Sequence, residues 1–144
     1  MELKGKHVAI LVANLFEDLE FYYPYYRLKE AGAEVTVLGT GDAGYAGKKG
    51  LAASQDASVG DADPSRFDGV VIPGGYAPDH MRRHRPMIDF VRRMHEAGKP
   101  VAFICHAGWV PVSADIVRGR RVTSFASIRD DMVNAGADWV DQEV

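Results

Sequence analysis

Cysteine is nearly absent from this sequence, and so are long apolar runs. One cysteine occurs in 144 residues, which excludes an internal disulfide and leads us to expect a reducing, cytoplasmic compartment where the thiol stays free. The apolar run at residues 8–13 is too short to span a membrane, and it lacks the cleavage region of a signal peptide. The sequence therefore predicts no membrane partner, and the single thiol, Cys105, becomes the residue to explain.

An excess of positive charge is also missing. The formal net charge is -3 at pH 7, so neither nucleic acid nor an anionic lipid surface is an expected partner. Two short basic runs, at residues 82–85 and 118–121, are predicted to be solvated loops or subunit contacts. The histidines have no zinc-binding spacing and a lone cysteine supplies no ligand pair, so we predict neither a metal nor another cofactor.

The sequence does contain an alternation of apolar runs and amphipathic stretches, without internal repeats. Strands are predicted at residues 7–13, 34–38, 67–73, 101–104, 122–125 and 138–144, and helices at residues 17–31, 86–97, 108–117 and 127–135, the last capped by Ser127. Pro24 either kinks the first helix or delays its start. This order favours one domain over residues 1–144, a flavodoxin-like three-layer α/β/α sandwich with a mostly parallel sheet.

Three loops are expected to meet at one edge of this sheet. Parallel strands deliver the loops that follow them to the same edge, where such folds hold their ligands. The loops at residues 14–18, 74–79 and 105–108 therefore bring together a carboxylate, a glycine pair and the thiol.

The stretch VAFICHAGW at residues 101–109 has the strand, nucleophile, small residue and helix order of a nucleophile elbow. The start of the predicted helix is expected to lower the pKa of Cys105. Gly74, Gly75 and Ala107 are the candidate positions for substrate and oxyanion binding, because small residues let the backbone approach closely. From the residues alone, the alternatives stay open that Cys105 is a small buried hydrophobe and His106 a structural histidine.

Four ordered blocks carry a family resemblance. They read ANLFEDLEFYYPYYRLKEAG, FDGVVIPGGYAPDHMR, GKPVAFICHAGWV and VRGRRVTSFASIRDDMVNAGADWVDQEV. With these blocks the sequence resembles the DJ-1/PfpI superfamily, and within it the PfpI-like intracellular cysteine protease or general stress protein branch. The resemblance implies a catalytic Cys105 with a protonated Glu17 hydrogen-bonded to the sulfur, and a raised pKa for Glu17.

The resemblance also implies partners for His106 and an assembly. In protease-like members an acidic residue from a neighbouring subunit completes the Cys-His pair, and Asp79 stands here where the family has Glu. We therefore expect a homodimer or a higher homo-oligomer such as a hexamer. Family members usually continue past WVDQEV with a strand pair and a helix, so we expect either a truncated sequence or a last strand covered by the oligomer.

The implied activity is that of a cysteine-dependent hydrolase, an intracellular peptidase or amidase of the PfpI type that acts in the stress response on small peptides. Two alternatives use the same cysteine. One is a glyoxalase or deglycase activity on methylglyoxal or its adducts, in which Cys105 attacks a carbonyl carbon. The other is a non-enzymatic oxidative-stress sensor or chaperone in which Cys105 is oxidised to a sulfinate.

Overall fold

A five-stranded parallel sheet forms the centre of the chain, which the computed structural model describes over residues 1–143. The strands are β1 (His7–Leu11), β2 (Glu34–Gly39), β3 (Tyr45–Ala46), β4 (Ala52–Ala53), β5 (Ala57–Ser58), β6 (Gly69–Ile72), β7 (Val101–Phe103), β8 (Arg121–Val122) and β9 (Asp138–Trp139). The central sheet has the order β5-β2-β1-β6-β7, while β3 pairs with β4 and β8 pairs with β9 in two small sheets.

The middle of the sheet is β1, whose apolar run predicted burial on both faces. Ala9, Ile10 and Leu11 have no exposed surface, and β1 pairs in parallel with both β2 and β6. Such an uninterrupted apolar strand is stable only when helices cover both faces of the sheet. Strands β2 and β5 lie on one side of β1, and β6 and β7 lie on the other, so the ends of β1, β6 and β7 are side by side.

The helices are α1 (Asp18–Glu30), α2 (Ala77–Arg83), α3 (Arg85–Glu96), α4 (Trp109–Ser113) and α5 (Arg129–Asn134). The predicted inward face of α3 is confirmed, because Ile88, Val91 and Met94 are all buried. Helix α1 packs on β1 and β2, and α3 packs on β6 and β7. The predicted flavodoxin-like α/β sandwich is confirmed.

The predicted boundaries of α1 are also confirmed. The Glu17 carboxylate caps the helix, Ala31 ends it, and Gly32 follows with φ of +94°. A left-handed φ of this kind suits glycine because it has no Cβ. Pro24 lies inside the helix, so it does not delay the start.

Several predicted elements differ from the structure. The basic run at residues 82–85 is not a loop, since its first half ends α2, which begins at Ala77 with Pro78 in the first turn. The helix predicted at residues 108–117 is much shorter, because Cys105–Gly108 forms a 3₁₀ turn, and the left-handed residue Asp115 (φ 55°) follows the end of α4. The strand predicted at residues 122–125 is shorter and begins one residue earlier, as β8 covers Arg121–Val122.

The carboxyl-terminal predictions are partly wrong. Ser127 does not cap a helix, because it lies within the 3₁₀ turn Ala126–Ile128 that precedes α5. The last predicted strand is reduced to β9, and its predicted end at residue 144 lies outside the described residues. Across residues 1–143, no helix combines the length and apolar character needed to cross a bilayer.

Candidate active site

A cavity of about 730 Å³ lies at the carboxyl edge of the sheet, where the loops after β1, β6 and β7 meet. Its walls consist of Glu17, Glu20, Lys48, Gly75, Tyr76, Phe103, Ile104, Cys105, His106, Trp109, Thr123, Ser124 and Phe125. The predicted meeting of the three loops is thus observed, and the β3–β4 hairpin and the segment after β8 add two further walls. A cavity of this size is typical of small-molecule sites.

Cys105 lies on the predicted elbow at the end of β7. Its φ is 61°, whereas Ile104 before it is extended, and the 3₁₀ turn Cys105–Gly108 follows at once. A non-glycine residue is strained in this left-handed region, and such strain concentrates at functional sites. Gly108 lets the turn pack closely, because a Cβ there would come within 2.8 Å of the Met132 sulfur. The backbone therefore presents the thiol to the cavity as a nucleophile elbow does.

The carboxyl group beside the thiol belongs to Glu20, not to Glu17 as predicted. The Glu20 carboxyl accepts the Gly74 N–H at 2.8 Å. A Cβ at Gly74 would lie 2.5 Å from a Glu20 carboxyl oxygen and 2.8 Å from the Cys105 Cβ, so the two side chains are neighbours. The Glu17 carboxylate lines the same cavity but caps α1, accepting the N–H groups of Leu19 at 2.9 Å and Glu20 at 3.0 Å. The two acids are three residues apart and share one helix face. This three-residue spacing is the sequence feature that could have indicated Glu20 as a second candidate for the contact with the thiol.

Burial gives Glu20 the property that was predicted for Glu17. Burial raises the pKa of Glu20, and the negative charge of Glu17 raises it further, although the N–H of Gly74 acts in the opposite direction. A raised pKa favours the protonated carboxyl, which can donate a hydrogen bond to sulfur. The predicted acid chemistry therefore belongs one helical turn further along α1.

The predicted lowering of the Cys105 pKa is wrong. Burial raises the pKa of the thiol, and the negative charge of Glu20 adds to this effect, while the N–H groups of His106 and Gly75 oppose it. The helix dipole that was expected to lower this pKa is weak here. Only a 3₁₀ turn and the five-residue helix α4 follow the cysteine, and so short a helix has little dipole to offer a thiolate.

Two backbone N–H groups point at the sulfur, those of Gly75 and His106. The other two positions predicted for an oxyanion site have their N–H groups engaged elsewhere. The N–H of Gly74 donates to Glu20, and the N–H of Ala107 donates to the Ile104 carbonyl oxygen at 2.9 Å. Ala107 is instead fully buried beneath the elbow. Of the three predicted residues, only Gly75 offers a donor to a group bound at the sulfur.

His106 reaches the thiol although the two residues are adjacent. Its Nδ1 lies 3.2 Å from the Cys105 sulfur, and its Nε2 lies 3.1 Å from the Ser127 hydroxyl oxygen. The ring stacks on Phe125 at a centroid distance of 5.1 Å and meets Trp109 edge-on. When Nε2 carries the ring proton and donates a hydrogen bond to the Ser127 oxygen, Nδ1 is free to accept the thiol proton.

Asp79 lies outside this cavity within the chain. Its carboxylate forms an exposed ion pair with Arg83 at 2.9 Å, one turn along α2. The hydroxyl of Ser127 occupies the place beside His106 that was predicted for an acid. The sequence suggested Ser127 only as a helix cap. Its contact with His106 was not predictable, because the two residues are 21 positions apart in the chain. Among the described residues, no cluster of His, Cys, Asp and Glu side chains is arranged to hold a metal ion.

A doubly wound parallel sheet with a cysteine at a strand-to-helix elbow, beside a half-buried carboxyl and a histidine, defines a flavodoxin-like protein with a thiol in its cavity. Residues 6–144 match the family model described as DJ-1/PfpI, and the chain belongs to that family. The resemblance carried by the four sequence blocks is confirmed.

Similar proteins cover nearly the whole chain. Deglycase PfpI of Pyrococcus furiosus is 43% identical over 137 residues, which are 95% of this chain and 82% of the relative. Protein/nucleic acid deglycase 2 of Escherichia coli is 40% identical over 142 residues, which are 97% of this chain and 83% of the relative.

A solved structure from Anabaena variabilis, a protein with a DJ-1/ThiJ/PfpI-like and a ferritin-like domain, superimposes with a TM-score of 0.92 at 46% identity. The match covers 95% of this chain and 40% of that one. The chain therefore spans less than half of the two-domain protein.

Proposed function

We propose that the chain is a cysteine-dependent deglycase or glyoxalase that converts methylglyoxal adducts to lactate. The observation that carries this proposal is the adjacency of Cys105 and the half-buried carboxyl of Glu20 at Gly74. A carboxyl whose pKa is raised toward neutrality can both accept and return a proton during turnover. The names of the relatives in Pyrococcus furiosus and Escherichia coli favour this activity over the peptidase expected from the sequence.

The first step is addition of Cys105 to the substrate carbonyl. His106 accepts the thiol proton through Nδ1, because that atom lies 3.2 Å from the sulfur. An adduct first releases its thiol or amine, which restores the free aldehyde. The sulfur of Cys105 then bonds to the aldehyde carbon, and the resulting oxyanion takes the proton back from the imidazolium to give a hemithioacetal. The N–H groups of Gly75 and His106, which point at the sulfur, are in position to stabilise the oxyanion.

The second step is a proton transfer between two carbons. Glu20, in its ionised form, removes the proton from the carbon bonded to sulfur and returns it to the neighbouring carbonyl carbon. The product is a lactoyl thioester on Cys105, which water hydrolyses to lactate and the free thiol. A peptidase has no use for this transfer, because acyl transfer from a peptide involves one carbon only. The adjacency of Glu20 to Cys105 is therefore the feature that supports the deglycase over the peptidase.

The test is a substrate panel that contains methylglyoxal, its adduct with N-acetylcysteine and a set of short peptides. We expect lactate from the first two, none after Cys105→Ser, and a loss of about 100-fold or more after Glu20→Gln. Glu17→Gln is the matched control, because it alters a neighbouring carboxylate in the same cavity. Cleavage of peptides without lactate formation would assign the peptidase instead. Addition of two oxygens to Cys105 by mild peroxide, with no turnover of any substrate, would assign the sensor.

A further inference from the structure

We propose that Lys48 forms an anion subsite in the Cys105 cavity, and that it binds a carboxylate carried by the carbonyl substrate. Lys48 lies on the turn between β3 and β4 and lines the same cavity as Cys105. The inference rests on the proposed function for its substrate class, carboxylate-bearing adducts such as those of free amino acids. The binding of an anion at Lys48 does not depend on the proposed function.

The turn that carries Lys48 is held in place by a buried carboxylate. Asp18 is only 3% exposed, and its two oxygens accept the N–H groups of Lys49 at 2.8 Å and Leu51 at 2.9 Å. Gly47 allows this approach, because a Cβ there would come within 2.6 Å of the Asp18 carboxylate. The N–H of Lys48 also donates to the Phe16 carbonyl oxygen at 2.9 Å. The backbone at Lys48 is thus fixed against the start of α1, so the turn itself does not have to be ordered when the side chain binds a ligand.

The ammonium group of Lys48 is positioned at the cavity wall. It lies 5.2 Å from the centroid of the Tyr76 ring, in a cation–π contact. Within the described residues it forms no ion pair shorter than 4 Å, although Glu17 and Glu20 line the same cavity. Its charge therefore remains available to a bound anion.

The two acids in the cavity attract the Lys48 ammonium but form no ion pair with it in the described part of the chain. The carboxylate of Glu17 is stabilised by the two N–H groups that it accepts at the start of α1. Burial raises the pKa of Glu20, which favours its neutral form. Proton transfer from Cys105 to His106 leaves the net charge of the cavity unchanged, because a thiolate forms together with the imidazolium. Lys48 is the only lysine or arginine among the described residues that line the cavity, so it is the cation that a substrate anion can meet there.

The sharpest test compares two alkylating reagents of nearly equal size, anionic iodoacetate and neutral iodoacetamide. In both reactions the Cys105 thiolate displaces iodide and forms a carbon–sulfur bond, and the single cysteine makes intact mass an unambiguous measure. We expect the ratio of the two rate constants, iodoacetate over iodoacetamide, to fall about tenfold in Lys48→Met, which corresponds to about 1.4 kcal/mol.

Two matched variants complete the alkylation experiment. Lys48→Arg keeps the cation, so its ratio is expected within about twofold of the wild-type ratio. Lys49→Met removes an equal charge from the next, equally exposed residue, which does not line the cavity, and its ratio is expected to stay near the wild-type value. Equal ratios in wild type and Lys48→Met, or an equal fall in Lys48→Met and Lys49→Met, would overturn the subsite.

Turnover then tests the substrate class. The methylglyoxal adducts of N-acetylcysteine and of its amide differ only in the carboxylate, and we expect wild type to prefer the former in kcat/KM. Lys48→Met is expected to reduce that preference about tenfold, and Lys48→Arg to restore it. An alkylation ratio that responds to Lys48 while neither adduct yields lactate would overturn the proposed function and leave the subsite standing. Lactate formation with no preference for the carboxylate would overturn the substrate class.

Discussion

At the scale of single residues, the pKa of the Cys105 thiol depends on the neighbouring carboxyl of Glu20. Burial raises the pKa of the Cys105 thiol, and the negative charge of Glu20 raises it further. Removing that charge stabilises the thiolate. We therefore expect Glu20→Gln to move the midpoint of the pH dependence of Cys105 alkylation to lower pH, as measured with iodoacetamide and intact mass.

The control for this prediction is Glu17→Gln. The Glu17 carboxylate is bound to the N–H groups of Leu19 and Glu20, not to the thiol. Its substitution should therefore move the alkylation midpoint much less than that of Glu20. A larger shift in Glu17→Gln than in Glu20→Gln would return the acid role to the residue that the sequence suggested.

Ser127 is a positioning residue for His106. Its hydroxyl oxygen lies 3.1 Å from Nε2, while Nδ1 faces the sulfur. Ser127→Ala removes the partner that orients the ring, so we expect kcat for lactate formation to fall about tenfold and the pH–rate profile to shift, as the acid limb depends on the imidazole. Ser127→Thr keeps the hydroxyl and is expected to restore both. An unaltered pH profile in Ser127→Ala would contradict this role.

At the scale of elements, the β3–β4 hairpin depends on one side chain from α1. Asp18 accepts two N–H groups of the turn from a buried position. Asp18→Asn replaces one acceptor oxygen with an NH₂ group and leaves a buried N–H without a partner. We expect this to lower the free energy of unfolding at pH 7 by about 1–3 kcal/mol, measured by urea denaturation.

The same carboxylate predicts how stability depends on pH. Burial alone would raise the pKa of Asp18, but the N–H groups of Lys49 and Leu51 outweigh it and hold that pKa below its ordinary value. An acid with a lowered pKa in the folded state contributes stability above its unfolded pKa, about 3.9, and loses it as pH falls through the folded pKa. The difference in stability between wild type and Asp18→Asn should therefore shrink in acid. A difference that grows below pH 4 would show that the charge is not what stabilises the hairpin.

At the scale of the whole molecule, Asp79 is the residue through which a second copy can complete the site. Asp79 is on α2 in an exposed ion pair with Arg83, and exposed pairs of this kind contribute little to stability. Its carboxylate is therefore free to reach a neighbouring copy at small cost. We propose that Asp79 of a second copy serves His106 indirectly, by accepting the hydroxyl hydrogen of Ser127, whose oxygen lies beside Nε2. We therefore expect specific activity to fall on dilution of the wild type.

Asp79→Asn is the variant that isolates this effect. Its stability should remain within about 1 kcal/mol of wild type, while its activity should be lower and independent of protein concentration. Light scattering at the same concentrations reports the oligomeric state. Wild-type activity that does not change with dilution, equalled by Asp79→Asn, would show that one chain with Ser127 beside His106 is sufficient.

Local sequence patterns predicted much of the fold because their physics is local or periodic. The apolar run of β1, the three-residue spacing of Ile88, Val91 and Met94, and Gly32 after α1 each determine one element. Helix α2 was missed because its consecutive basic residues, Arg82 and Arg83, are typical of a solvated loop. The elbow was predictable because strand, Cys105, small residues and helix are consecutive in the chain.

The sequence by itself determined the parallel sheet, the edge at which the loops meet and the cysteine at its centre, because strand order and loop direction follow from the alternation of elements. Only the tertiary structure decided which acid reaches the thiol, since Glu17 and Glu20 are separated by one helical turn and differ in the backbone N–H groups they meet. It also decided the direction of the Cys105 pKa, the contact of Ser127 with His106 and the place of Lys48 in the cavity. These depend on burial and on contacts between distant segments, which no local pattern records.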